Sequence, residues 1–169
     1  MKNVNKAYYK SIGYDLEKTF AENMRKITGA ECPCYITGRA AAQIWLRQKV
    51  NCMMVMASTP ELYETMRIKM QLEEASSERF GTYLPFMIPG PIWGSQIVRI
   101  YKPNENTGVV PPKASVFEKT YSMPVSDLAE LITYFEFKGG LGKAWTDDLR
   151  YYNETGRLAP RRRRTARWN

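Results

Sequence analysis

Apolar residues near the start of the chain recur with the period of a helix. Four of them are spaced four residues apart: Ile12, Leu16, Phe20 and Met24. This spacing places them on one face of a helix, which we predict over residues 7–27 with Gly29 as its stop. The apolar face of such a helix is expected to pack on the core of the protein.

A second helix is predicted over residues 39–47, where the Thr37 hydroxyl is suitably placed to cap the first turn. An apolar run over residues 50–57 follows directly. It is compatible with a buried strand or with a continuation of the helix, because periodicity does not separate the two in so short a run.

A third helix is predicted from Pro60 to about Arg79. Ser58 and Glu61 have the spacing of a capping box, and Pro60 falls in the first turn, where its missing amide hydrogen costs little. Leu62 and the methionines at positions 66 and 70 share one face, which indicates that this helix also faces the core.

Residues 81–112 are rich in proline, glycine and aromatic side chains, a composition in which long helices do not persist. Within this segment we predict a strand over residues 96–101. Residues 109–117 are predicted to return as an edge strand interrupted by Pro111 and Pro112.

Two more helices are predicted further along the chain. One begins at Pro124 and ends at Gly139, and the other covers about residues 143–152 and stops by Gly156. The elements together predict an α+β fold that is mainly helical, with four or five helices and a two- to three-stranded antiparallel sheet. We expect a single domain over residues 1–156 and an extended basic arm over residues 157–169.

The positive charge of the chain is concentrated in that arm. Of the formal charge of +8, six positive charges come from arginines that follow the last acidic residue, Glu154, so the rest of the chain carries +2. The arm has too few apolar groups to fold alone, its guanidinium groups suit phosphate oxygens, and its tryptophan can stack on a base. The predicted nucleic-acid-binding residues are Arg157, Arg161, Arg162, Arg163, Arg164, Arg167 and Trp168.

The chain contains no histidine, which removes Ser-His-Asp and Cys-His catalysis and imidazole ligands for zinc. Magnesium held by carboxylates stays open in principle. The candidate carboxylates are Asp147 and Asp148 with Glu154, or the group of Glu73, Glu74 and Glu78, although surface charge explains both sets more simply. We therefore expect no catalytic residue, no cofactor and no metal site, and hence a protein that is not an enzyme.

Three cysteines, Cys32, Cys34 and Cys52, make an odd number and indicate an intracellular, reducing compartment such as the cytoplasm or the mitochondrial matrix. They are too few for a structural zinc site, so buried or free thiols are the favoured interpretation. Residues 138–143 contain three glycines between two lysines but lack the final Ser or Thr of a phosphate-binding loop. A glycine helix stop and linker is the simpler interpretation.

These features favour a non-enzymatic structural subunit of a large ribonucleoprotein, of ribosomal or mitochondrial-ribosomal type. Its body would contact other protein subunits, and its arm would contact nucleic acid, with RNA preferred. One alternative is a subunit of a virion or another multi-protein assembly, with the arm on nucleic acid or an acidic neighbour. The other is a magnesium-dependent nuclease. We expect no membrane span, since no apolar run approaches the roughly 20 residues required, and no small-molecule substrate.

Overall fold

The computed structural model describes residues 6–77, 80–88, 97–103 and 114–160. In these residues the chain forms six helices: α1 Lys6–Ser11, α2 Phe20–Thr28, α3 Gly38–Trp45, α4 Pro60–Lys69, α5 Leu128–Lys138 and α6 Lys143–Thr155. It forms seven strands: β1 Cys34–Ile36, β2 Met53–Ala57, β3 Ala75–Ser77, β4 Gly81–Met87, β5 Ile97–Tyr101, β6 Ala114–Glu118 and β7 Met123–Ser126. No helix of these ranges is long and apolar enough to cross a bilayer.

The strands form one mixed sheet in the order β3-β4-β5-β2-β1-β7-β6. β2 is parallel to β5 and β1 is parallel to β7, while the other neighbouring strands are antiparallel. The prediction of a mainly helical protein with a small antiparallel sheet of two or three strands is therefore wrong. The sheet is the central element of the molecule, and the helices pack on its two faces.

One face of the sheet, here named the core face, is apolar. Side chains alternate along each strand, so the paired residues Val55 of β2 and Ile100 of β5 point to this face. Phe86 of β4 lies there too, with ring centroids of Tyr9 and Phe20 at 5.4 and 5.9 Å from its own. Aromatic residues of α1 and α2 therefore close the core on this side.

The opposite face, here named the cleft face, is covered in part by α3 and α5. Its central positions are Met54 and Met56 of β2 and Arg99 and Tyr101 of β5. A polar and an aromatic residue thus lie beside two methionines in the middle of the sheet. This mixture distinguishes the cleft face from the core face.

The predicted helix over residues 7–27 is two helices. α1 ends at Ser11, and Gly13 turns the chain with a φ of 95°. Thr19 then begins α2 with a capping box, in which its hydroxyl accepts from the amide of Glu22. The four-residue spacing of apolar residues therefore continues across a break between two helices. Phe20 and Met24 both contact the core from α2.

Two further helix boundaries differ from the prediction. α4 does start at Pro60, but its cap is Thr59 and not Ser58, and it ends at Lys69 instead of near Arg79. Pro124 lies in β7, and the helix predicted to begin there starts four residues later, with Asp127 as its cap. The last predicted helix is confirmed as α6, which ends at Gly156.

The strands that the prediction missed are short or contain proline. β1 and β3 have three residues each. β4 contains Pro85, and β3 pairs with β4 only from Gly81 to Tyr83. Pro85 therefore lies where β5 is the one paired neighbour of β4 in the described residues, a position in which a strand tolerates proline. The apolar run over residues 50–57 resolves as a strand, β2.

Candidate functional site

A cleft lies on the cleft face, between the central strands and the helices α3 and α5. It encloses about 280 Å³, including the part that is open to solvent. Its walls are Thr37, Gly38, Met54, Met56, Phe80, Tyr101 and Tyr134. These residues come from separate segments of the chain, which the sheet brings together.

Strand register arranges the floor of the cleft in two rows. In the first row, Met54 pairs with Arg99 of β5, and its carbonyl accepts the amide of Thr37 at 2.9 Å. In the second row, Met56 pairs with Tyr101, which pairs in turn with Tyr83 of β4. The rows are two residues apart along each strand, or roughly 7 Å.

The helix α3 begins at the first row without a side-chain cap. Thr37 occupies the N-cap position, as predicted, but its hydroxyl accepts a hydrogen bond from the Ser126 hydroxyl at 3.0 Å and does not cap the helix. The first intrahelical bond of α3 joins the Ala41 amide to the Thr37 carbonyl. The amides of residues 38–40 precede that bond and carry the partial positive charge of a helix start.

Gly38 lets this helix start approach β2 closely. Its φ is 61°, a left-handed conformation that favours glycine. A Cβ atom at this position would lie 2.8 Å from the terminal methyl carbon of Met54. Met54 is thus held directly between the start of α3 and Arg99.

Two arginines flank the first row. Arg99 is exposed, and its guanidinium carbon lies 5.1 Å from the centroid of the Tyr83 ring, a cation–π contact. Arg39 is also exposed and donates to the Gly140 carbonyl at 3.2 Å. Burial raises the pKa of the Cys52 thiol, and both arginines oppose that rise, which places both positive charges near the same side chain.

The second row is aromatic. The centroid of the Phe80 ring lies 6.1 Å from that of Tyr101 and 6.1 Å from that of Tyr134, and its plane is inclined by 20° to the Tyr134 ring. Tyr83 and Tyr101 have centroids 5.3 Å apart. Burial raises the pKa of Tyr134 to about 12 and also raises that of Tyr101, so both phenols are neutral at pH 7.

The Tyr101 hydroxyl is buried without a hydrogen-bond partner in the described part of the chain. The side chain as a whole is 1% exposed. A side-chain hydrogen bond with Arg99, and the charge of Arg99, oppose the rise in the Tyr101 pKa, although this contact does not meet strict hydrogen-bond geometry. A buried polar atom of this kind usually has a partner, and its absence calls for an explanation.

The predicted arm is described only at its start. Arg157 is exposed and follows Gly156, where α6 ends. The other predicted nucleic-acid-binding residues lie outside the described residues: Arg161, Arg162, Arg163, Arg164, Arg167 and Trp168. Their role stays a prediction.

The candidate carboxylates do not assemble a metal site. Within residues 6–77, 80–88, 97–103 and 114–160, no group of three or more cysteine, aspartate or glutamate side chains is placed to hold an ion. Asp147 pairs with Arg150 at 3.0 Å, and Glu74 accepts from the Tyr63 hydroxyl at 3.0 Å. Glu78 lies outside the described residues.

The three cysteines are free thiols at separate places. Cys32 is exposed, Cys52 is half-buried before β2, and Cys34 is buried with its sulfur 3.6 Å from that of Met123. The glycines of residues 138–143 act as predicted, since Gly139 caps the end of α5 and Gly142 precedes α6.

Comparison with known proteins gives a similarity of fold. Neither family models nor curated protein sequences match the chain. Among solved structures, the chain is similar to a crystal structure from Thermotoga maritima whose protein is provisionally assigned as a nucleotidyltransferase. The two are 18% identical, the TM-score is 0.46, and the match covers 78% of this chain and 88% of the other. At this identity and score the similarity transfers no activity.

The comparison gives no support to the predicted function. We expected a non-enzymatic ribosomal, mitochondrial-ribosomal or virion subunit, whereas the solved structure that the chain resembles is assigned to an enzyme class. The expectations of a structural subunit and of a protein that is not an enzyme find no support in this comparison and are not kept.

Sequence reasoning missed the cleft residues. Two signals were present: Gly38 directly follows a short apolar strand and opens a helix, and Arg99 interrupts the apolar run of β5. Neither signal indicates which residues will lie nearby, because the cleft depends on the pairing of β2 with β5 and on the position of α5.

Proposed function

We propose that the cleft binds a small phosphorylated molecule with a flat ring, of the nucleotide class. The observation that carries the proposal is the combination of an uncapped helix start and an unpartnered buried hydroxyl in the walls of one aromatic cleft. Ligand sites are typically concave and largely apolar, with a few convergent polar groups.

The first row supplies the groups that favour an anion. Helix starts bind phosphate through free amides and their partial positive charge. The α3 amides lie at a helix start where Gly38 has no Cβ and packs against Met54, and Arg99 adds a guanidinium from the neighbouring strand. An arginine can bind a phosphate with two hydrogen bonds, which orients the ligand as well as holding it.

The second row supplies the surface that favours a ring. Phe80, Tyr101 and Tyr134 offer aromatic faces and edges, and Met56 adds a polarisable thioether. The spacing of roughly 7 Å between the rows is comparable with the length of the sugar that joins phosphate and base in a nucleotide.

The experiment is a calorimetric titration of the protein with a panel of ribonucleoside 5′-monophosphates. Arg99→Gln is expected to weaken binding about tenfold, because one charge-assisted contact is lost. Arg47→Gln is the matched control, since Arg47 is exposed at the other end of α3 and should leave the affinity unchanged. The proposal fails if no mononucleotide binds the wild type at millimolar concentration, or if both variants bind equally well.

We also propose that the arm, residues 157–169, binds the phosphate backbone of a polynucleotide. Its support is the run of arginines in a segment without acids. Removing residues 161–169 is expected to weaken the binding of single-stranded RNA or DNA in fluorescence anisotropy. Unchanged affinity after that deletion would remove this second proposal and leave the first intact.

A further inference from the structure

We infer that the Tyr101 hydroxyl determines which flat ring the cleft accepts, by donating a hydrogen bond to an acceptor atom on the inner edge of the ring. The inference rests on the proposed function, because it names a preference of that same cleft. It concerns one atom that folding leaves without a partner.

Two other aromatic groups that are largely buried have hydrogen-bond partners. The Tyr63 hydroxyl donates to a Glu74 carboxylate oxygen at 3.0 Å, and the Trp45 ring nitrogen donates to the Ser126 carbonyl at 2.9 Å. Tyr14 is a second tyrosine whose hydroxyl has no hydrogen-bond partner, but its ring packs on Phe86 at the core face. Tyr101 differs because it is one of the residues that line the cleft.

The neighbours of Tyr101 explain why folding does not satisfy its hydroxyl. Arg99 carries donors only, so it cannot accept the phenolic proton. Met56, which pairs with Tyr101 from β2, offers at best a weak acceptor in its thioether sulfur. Neither residue therefore supplies the strong acceptor that the hydroxyl lacks.

A ring with a carbonyl oxygen at its inner edge would supply that acceptor. The unliganded protein already carries the cost of a buried unpaired hydroxyl, and binding such a ring removes it. A ring with a hydrogen at the same position leaves the hydroxyl unpaired and gains nothing. Sites built around a hydrogen bond discriminate against analogues that lack the bonding group for this reason.

The test compares ligands that differ at one ring carbonyl, at C4 of uridine or C6 of inosine. The adjacent ring nitrogen changes with it, from N–H in the carbonyl ligand to an acceptor nitrogen in its analogue. Uridine 5′-monophosphate and inosine 5′-monophosphate carry a ring carbonyl, which is replaced by hydrogen in 4-deoxyuridine 5′-monophosphate and purine riboside 5′-monophosphate. In at least one of the two pairs, the wild type is expected to bind the carbonyl ligand about tenfold more tightly. In Tyr101→Phe that ratio should fall to near one.

Tyr151→Phe is the matched control, since Tyr151 lies on α6, does not line the cleft and should keep the wild-type ratio. Tyr101→Phe removes an atom with no partner, so its thermal midpoint should equal or exceed that of the wild type. Equal affinities within both pairs for the wild type, or an unchanged ratio in Tyr101→Phe, would overturn the inference while leaving nucleotide binding in place. The proposed function itself would fail differently, by the absence of binding of all four ligands.

Discussion

Gly38 stands where β1 passes into α3, and two separate constraints act on it. Its φ of 61° disfavours any side chain, and an added Cβ would meet the end of Met54 at 2.8 Å. The end of a methionine side chain is flexible and can move aside, in this case into the cleft. The contact with Met54 should therefore reduce ligand affinity more than it reduces stability.

We expect Gly38→Ala to lose about 1–2 kcal/mol of unfolding free energy, the usual cost of a left-handed alanine. Urea denaturation would measure it. Gly29→Ala is the control, because Gly29 has a φ of 75° and no atom within 4 Å of an added Cβ. Both variants should lose similar stability, whereas only Gly38→Ala should weaken mononucleotide binding. Equal affinity of the two variants would contradict this role of Met54.

At the scale of elements, the turn between α1 and α2 depends on Asn23. Its side chain is 1% exposed, accepts from the Asp15 amide at 2.7 Å and donates to the carbonyls of Asp15 and Thr19. We expect Asn23→Ala to cost about 2 kcal/mol or more in urea denaturation, since buried backbone groups lose their partners.

Thr133→Ala is the control for that substitution. The Thr133 hydroxyl donates to the Ala129 carbonyl on an exposed face of α5, so its loss should change stability by less than about 0.5 kcal/mol. A similar small effect of Asn23→Ala would show that the Thr19 capping box fixes the turn alone.

The same turn shows why the sequence predicted some elements and not others. The periodicity of apolar residues correctly identified a core-facing helix, but it cannot detect a side-chain amide that holds a turn eight residues away. Strong local signals succeeded, as with Pro60 at the start of α4 and Gly156 at the end of α6. Three-residue strands such as β1 have no period to detect, because their existence depends on pairing partners far along the chain.

The candidate site was less predictable than the fold for a related reason. Arg99 and Tyr101 are two residues apart, yet their relation to Gly38 arises only when β5 pairs with β2. The sequence identifies the charge of the arm directly, since charge needs no partner to be recognised. A cleft made by register has no such local signature.

At the scale of the whole molecule, buried thiol and phenol groups should make the unfolding free energy fall at alkaline pH. Burial raises the pKa of the Cys34 thiol, the Tyr35 phenol and the Tyr134 phenol to about 12 each. In the unfolded chain these groups ionise near pH 9 for cysteine and near pH 10 for tyrosine. Between those values and pH 12 the unfolded state binds fewer protons, so the unfolding free energy must fall as pH rises.

Urea denaturation at pH 8, 9, 10 and 11 would follow this fall. Tyr134→Phe should reduce its slope above pH 10, because it removes one of these buried phenols. A stability that stays constant up to pH 11 would mean that these groups ionise in the folded protein.

The cleft and the arm use charge differently, and salt should separate them. The arm offers a row of arginines to an extended polyanion, so its binding should release counterions in proportion to the phosphates it contacts. For single-stranded nucleic acid, losing the five arginines of residues 161–169 should reduce the slope of log K against log salt by roughly 3 to 4. Replacing Arg161, Arg162, Arg163 and Arg164 with lysine preserves the charge and should preserve most of the slope.

Mononucleotide affinity should be the same with and without residues 161–169, because Arg99 belongs to β5 and the start of α3 lies beside β2, both outside the arm. A joint loss of both activities on truncation would instead mean that the arm forms part of the cleft.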